Sequence, residues 1–196
     1  MIYSGNFSVV LDACVLYPAP VRDILLCIAQ EELFRPKWSN IIMNEWTRNL
    51  LKNRIDLSEE RLERTVRAMN IAFPDAMVSS FENLINAVVL PDLNDRHVVA
   101  AAIRCQADSI ITFNLKDFPR KVMKELGIQA IHPDNFICQL LELDKDACIK
   151  AFVSQVNRLN NPPRKQIDVL NTFEKCGLVQ SSELLMEELI LNYQKL

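Results

Sequence analysis

A chain of 196 residues, 49% hydrophobic and 24% charged, is long enough to bury a substantial core, and one domain with an appendage is the expected organisation. Its formal net charge of −3 excludes an affinity for nucleic acid that rests on overall basicity, while leaving room for a local basic surface. No stretch approaches the ~18 uninterrupted apolar residues of a membrane span. The six cysteines form no CxxC pair and no Cys/His spacing for zinc. In their apolar surroundings they read as buried, reduced thiols of a cytoplasmic protein. The N-terminal apolar run is short and carries Asp12, unlike a secretory leader. No internal repeat or low-complexity segment interrupts the chain.

Residues 6–11 (NFSVVL) are apolar and β-branched, the composition of a parallel strand buried on both faces, and the strand ends in Asp12. Pro18 and Pro20 punctuate a loop, residues 21–31 follow as a helix, and residues 33–36 suit a short second strand. Ser39 is a good N-cap for a helix over 40–52, in which Glu45 stands at i+4 from Ile41 and i+3 from Ile42, beside Trp46. Residues 56–69 form a charged helix that Ser58 can cap. Its row Arg61, Arg64, Arg67 is interleaved with acids and is either a solvated face or an RNA contact. Residues 77–81 suit a strand and 82–87 a turn of helix.

The most informative stretch is 91–119, PDLNDRHVVAAAIRCQADSIITFNLKDFP. Asn94 is placed to cap a helix over 95–105. Val98, Val99 and Ala102 lie at i+3, i+4 and i+7 from Asp95, so this carboxylate shares the face that the helix buries. Residues 109–113 form a short β-branched strand, followed at once by Asn114 and Asp117. A helix over 120–126 stops at Gly127, and 128–131 is the last strand. Beyond Pro133 only helices remain, over 134–143, 145–159, 165–175 and 182–193, broken by Asn160-Asn161-Pro162-Pro163 and Gly177. Alternating strands and helices over 1–132 imply a mainly parallel sheet covered on both faces, with 133–196 a helical extension.

Asp12, Glu45 and Asp95 stand out by position. Asp12 and Asn114 end strands, where functional groups gather in open α/β sheets, and the two helical acids can converge on the same place. Like charges 4 Å apart at an effective dielectric of 20 repel by about 4 kcal/mol, an objection that a divalent cation removes. An all-oxygen donor set selects Mg²⁺ or Mn²⁺ over zinc. Such an ion lowers the pKa of water and neutralises charge on phosphate oxygens, which supports phosphodiester hydrolysis. Each acid also has a plain reading: Asp12 as a turn residue, Asp95 as a first-turn acid, Glu45 at the edge of its stripe, Asp92 as a loop acid or outer partner. His97 reads as a surface residue or a partner of a ligand rather than a ligand. No phosphate-cradling glycine loop and no GxSxG elbow is present, which sets aside nucleotide-triphosphate and serine-hydrolase chemistry.

The blocks VVLDACVLYP, SNIIMNEW, LPDLNDRHVVAAAI and ADSIITFNLKDFP together resemble PIN-domain proteins of the VapC-like toxin group, over roughly residues 6–135. The resemblance implies a PIN-like three-layer α/β/α fold and a Mg²⁺- or Mn²⁺-dependent endoribonuclease in which Asp12, Glu45 and Asp95 hold the metal. Many relatives carry an acid where this chain has Asn114. Asn114 is the favoured fourth site residue, ligating through its carbonyl, with Asp117 the alternative. The resemblance further implies an RNA substrate, a cognate antitoxin protein and a homodimer, and the extension after Pro133 is like that of a subset of the group. Lys116, Arg120 and Lys121 are candidates for phosphate contacts. Two other classes compete: a catalytically silent PIN-like module that binds RNA or protein, and a metal-dependent DNA nuclease or phosphatase.

Overall fold

The computed structural model of the chain describes residues 7–193. Asn6 of the first expected strand, and the outer limits of both expected regions at 1–6 and 194–196, lie outside the described residues. Contacts group the chain into two compact units, one of Phe7–Tyr17 with Arg35–Ile131, the other of Pro18–Phe34 with the segment from His132 onward.

The first unit is built on five parallel strands, β1 (Ser8–Leu11), β2 (Arg35–Ser39), β3 (Met77–Val78), β4 (Ser109–Ile111) and β5 (Gln129–Ile131), in the order β3-β2-β1-β4-β5. With flanking helices this is the expected α/β architecture. Val9, Val10, Leu11, Ile110 and Ile111 have no solvent-accessible surface, as an apolar parallel strand requires. Strand order reverses between β1 and β4, so their carboxyl ends form the switch point where ligands bind in open sheets.

The second strand begins two residues later than expected and runs on to Ser39. Glu32 takes a left-handed turn at φ 61°, and pairing starts only where the Arg35 N–H donates to the Phe7 carbonyl. Pro36 is tolerated there. By strand alternation its missing donor would point toward β3, where bonding begins only with Trp38 donating to Ala76.

The helices of this unit are α1 (Ala13–Leu16), α3 (Asn40–Asn53), α4 (Glu59–Ala72), α5 (Glu82–Ile85), α6 (Arg96–Arg104) and α7 (Arg120–Glu125); α2 (Ala19–Gln30) belongs to the other unit. The Ser39 hydroxyl caps α3 by accepting from Ile42 N–H at 3.2 Å, and Ser58 caps α4 by accepting from Arg61 N–H at 3.3 Å. Gly127, at φ 70°, follows α7 in the left-handed turn that favours glycine. The cap of α6 differs from expectation, being Asp95 rather than Asn94. Asn94 is instead held in a turn, its N–H donating to Asp92 Oδ1 at 2.8 Å.

In the second unit α2 packs against α9 (Lys145–Arg158) and α10 (Gln166–Lys175), and α8 (Pro133–Leu143) against α11 (Val179–Tyr193). Phe34 meets Phe136 edge-on at 5.1 Å, and Phe152 meets Phe173 at 5.8 Å. Arg158 donates to Gln30 Oε1, and Lys150 pairs with Glu31 at 2.6 Å. All six cysteines are free thiols, with Cys27 and Cys148 buried and the other four half-buried. Among the described residues no helix is long and apolar enough to cross a membrane.

The last helix starts at Val179, three residues before its expected first residue. Its opening amides are satisfied from 46 and 47 residues away: buried Asp134 accepts from Gln180 N–H at 3.0 Å, Ser181 N–H at 2.8 Å and Ser181 Oγ at 2.7 Å. Replacing Asp134 by Ala leaves these donors buried without a partner, and the variant should be about 2–4 kcal/mol less stable in chemical denaturation. Asp134→Asn, which keeps an acceptor oxygen, should lose less than half of that.

Candidate functional site

Everything named at the candidate site belongs to the sheet unit. Leu11 pairs with Ile111, and the Asp12 N–H continues the ladder to the Ile111 carbonyl at 3.1 Å. Asp12 and Thr112 are therefore neighbours just past the carboxyl edge of the sheet. Both are buried, and the Thr112 hydroxyl donates to Asp12 Oδ2 at 2.7 Å. Cys14 Sγ donates to the same oxygen at 3.0 Å, and the Ala13 N–H donates to Oδ1 at 2.6 Å. A carboxylate offers about four lone-pair directions, so three donors leave one for a further partner.

Thr112 and Cys14 also shape the loop that follows. Thr112 Oγ1 accepts from Asn114 N–H at 3.0 Å, and Cys14 Sγ accepts from Phe113 N–H at 3.2 Å. A single 3-10 turn, Leu115–Asp117, comes next and is anchored by buried Phe118. Neither Thr112 nor Cys14 is visible in sequence as a site residue, since their contacts with each other span 98 residues.

A polar cavity of about 670 Å³ opens beside this edge. Glu45 and Arg48 reach it from α3, Asp95 and His97 from the start of α6, and Asn114 and Asp117 from the turn after β4. Asp12 does not line the cavity but acts on Asp95 through its charge. Glu45 is half-buried, at the margin between exposed Ile41 and fully buried Ile42 and Trp46. His97 Nε2 lies 3.3 Å from Glu45 Oε2 and ties α6 to α3. Asp92, the loop acid, lines the cavity as well as holding Asn94.

Asp95 occupies the N-cap position of α6 yet makes no capping hydrogen bond with its side chain. It is half-buried, above inaccessible Val98, Val99 and Ala102, as the helical phase predicts. Burial first, and then the charges of Asp12, Asp92, Asp117 and Glu45, push its carboxyl up to about 6. Burial also raises the carboxyl of Asp12, against the lowering effect of its bonds from Cys14 and Thr112. The Cys14 thiol is pushed up to about 12, by burial and by Asp12, so it stays a protonated donor.

The donor set consists of oxygens: Asp12, Glu45, Asp95, Asn114 and Asp117. His97, the one imidazole lining the cavity among the described residues, is turned to Glu45. That chemistry fits Mg²⁺ or Mn²⁺. Among the described residues no three His, Cys, Asp or Glu side chains already converge as a chelate. Drawing three carboxylates together without a cation costs several kcal/mol.

A PIN-domain sequence profile matches residues 8–116, and a VapC50 C-terminal domain profile matches residues 133–187. A Mycobacterium tuberculosis H37Rv protein named "Putative ribonuclease VapC50" is 36% identical over 93 residues, which make up 46% of this chain and 55% of that protein. The aligned region thus spans about half the length of this relative. No solved structure matches the chain.

The electrostatics carry a sign that can be tested. A carboxyl with a folded-state value near 6, against an ordinary 3.8, binds its proton more tightly folded than unfolded. Its contribution therefore destabilises the metal-free protein progressively as pH rises from about 4 to above 6. In EDTA, Asp95→Asn should be more stable than the parent at pH 7.5 by on the order of 1 kcal/mol, a figure reduced for the partial exposure of this side chain. The difference should vanish near pH 4, as read from thermal melting at both pH values. A variant less stable than the parent at pH 7.5 would show that Asp95 is held favourably instead.

Proposed function

The chain belongs to the PIN-domain family, and from that premise we propose that it is a Mg²⁺- or Mn²⁺-dependent endoribonuclease of the toxin–antitoxin type. The observation that carries this reading is Asp95, a helix-start acid that caps nothing and sits in the field of four other carboxylates. Asp12, Glu45, Asp95 and Asn114 would hold the ion, with Asp117 as the further carboxylate able to join them. A divalent cation on these oxygens lowers the pKa of water and offsets charge on the phosphate oxygens.

The chain's own groups do the rest. Thr112, Cys14 and the Ala13 N–H fix Asp12 in one orientation, and His97 fixes Glu45. An acid of the cavity that does not hold the ion would orient the attacking water and take its proton. Exposed Lys116, in the 3-10 turn, and exposed Arg120 and Lys121, just after it, take phosphates of the flanking RNA.

Residues 1–132 carry the nuclease and 133–196 the helical extension. The protein acts in the cytoplasm as a homodimer, restrained by a cognate antitoxin whose basic side chains enter the acidic cavity. The match of residues 133–187 to the VapC50 C-terminal domain supports the extension as a unit of this kind, and the mycobacterial relative, named a ribonuclease, supports the nuclease.

Titration with Mn²⁺ during thermal melting should stabilise the protein by about 2.7 kcal/mol at a hundredfold excess over Kd, whereas Asp12→Asn should gain little. On a panel of RNA, DNA and phosphomonoester substrates, single-stranded RNA should be cleaved, and only with metal. Cleavage of DNA alone would reassign the protein as a DNA nuclease. Metal binding without cleavage of any substrate would make it a silent module. Equal RNA cleavage by Asp12→Asn would overturn the assignment of Asp12 to the site. Thr112→Val, which deletes the hydroxyl donated to Asp12, should lower metal affinity by at least about tenfold, by calorimetric titration with Mn²⁺.

A further inference from the structure

Glu45 and Arg48 lie one turn apart on α3, and both line the polar cavity. Side chains three residues apart on a helix are neighbours, so an ion pair between them is the arrangement expected from local geometry. The structure has another. Glu45 is turned to His97, with Nε2 3.3 Å from Oε2. Asp92, Asp95 and Asp117 line the same cavity, yet among the described residues no acid stands within 4.0 Å of the Arg48 guanidinium. Arg48 is therefore a cation beside four carboxylates that neutralises none of them.

A guanidinium has five donors and no acceptor, so its partner must be anionic or carbonyl oxygen. We propose that Arg48 is the substrate's phosphate anchor on the α3 wall of the cavity, gripping the backbone phosphate next to the one that is cleaved. Its planar fork matches two oxygens of one phosphate, which a lysine ammonium cannot do. The contact also answers an electrostatic problem: a polyanion approaching a cavity of acids needs an attractive group at its wall, and Arg48 is exposed there. His97 has a second consequence here, because a Glu45 held by His97 cannot fold back and quench Arg48. The inference rests on the nuclease reading of the same cavity.

The test uses the full chain and a short fluorescein-labelled single-stranded RNA, with binding followed by fluorescence anisotropy in EDTA over a range of KCl concentrations. Arg48→Ala should weaken binding about tenfold, and the slope of log K against log salt should fall by about 0.7, the loss of one single-strand phosphate contact. Arg48→Lys should keep the slope and lose affinity several-fold, because charge remains and the fork does not. Mn²⁺ affinity, measured calorimetrically, should stay within about twofold of the parent, as Arg48 contributes no ligand. Unchanged RNA affinity and slope in Arg48→Ala would overturn the proposal. So would a parallel collapse of Mn²⁺ affinity, which would mark Arg48 as scaffold. If the parent protein neither binds nor cleaves RNA, the nuclease reading fails and this inference fails with it.

Discussion

The register between β1 and β4 is the constraint on which the site depends. Leu11 opposite Ile111 brings Asp12 beside Thr112, and from that one pairing follow the Thr112 hydrogen bond to the carboxylate and the path of the loop to Asn114. Side chains alternate along a strand, so a slip by one residue would turn Thr112 to the other face and leave Asp12 buried with a donor missing. The register is held by the packing of Val9, Val10, Leu11, Ile110 and Ile111, which are fully enclosed and would change faces if it shifted by one residue. Site geometry here is a by-product of core packing.

The acids themselves work against the fold. Asp12 and Asp95 are both held where burial disfavours their charged forms, and Asp95 also feels four neighbouring carboxylates. Hydrogen bonds relieve Asp12, while Asp95 has no such relief from its own helix. The same residues would serve a stable fold better as amides or apolar groups, and local violations of this kind are expected at functional sites.

Much of this was legible in the sequence because two periodicities report burial directly. A short apolar run with β-branched Val9 and Val10 marked β1 and so placed Asp12 at its end. The 3.6-residue phase of α6 placed Asp95 over Val98, Val99 and Ala102. What could not be read depends on contacts between distant segments. Thr112 looks like one more strand residue until it is seen to bond Asp12, 100 residues earlier. The early start of α11 is invisible locally, since its cap comes from Asp134 in α8. Asn94 has the ideal composition for a cap, yet α6 starts one residue later and the Asn94 backbone N–H is held in a turn by Asp92. The late start of β2 has a related cause: Leu33 and Phe34 suit a strand, but hydrogen bonding begins only at Arg35, after the left-handed turn at Glu32.

The interleaving of the two units has a consequence for the protein's synthesis. Helix α2 is made early, but its partners α9 and α10 come late; Glu31 and Lys150, for example, pair across 119 residues. At roughly 5–20 residues per second, α2 emerges roughly 6–24 seconds before the helix that covers it. During that interval Ile24, Leu25 and Ile28, fully enclosed in the finished molecule, lack the late helices as cover. The nascent chain is thus a client for chaperones over a defined window. A chain ending at residue 132 would never leave that window, since it retains α2 and lacks the late helices.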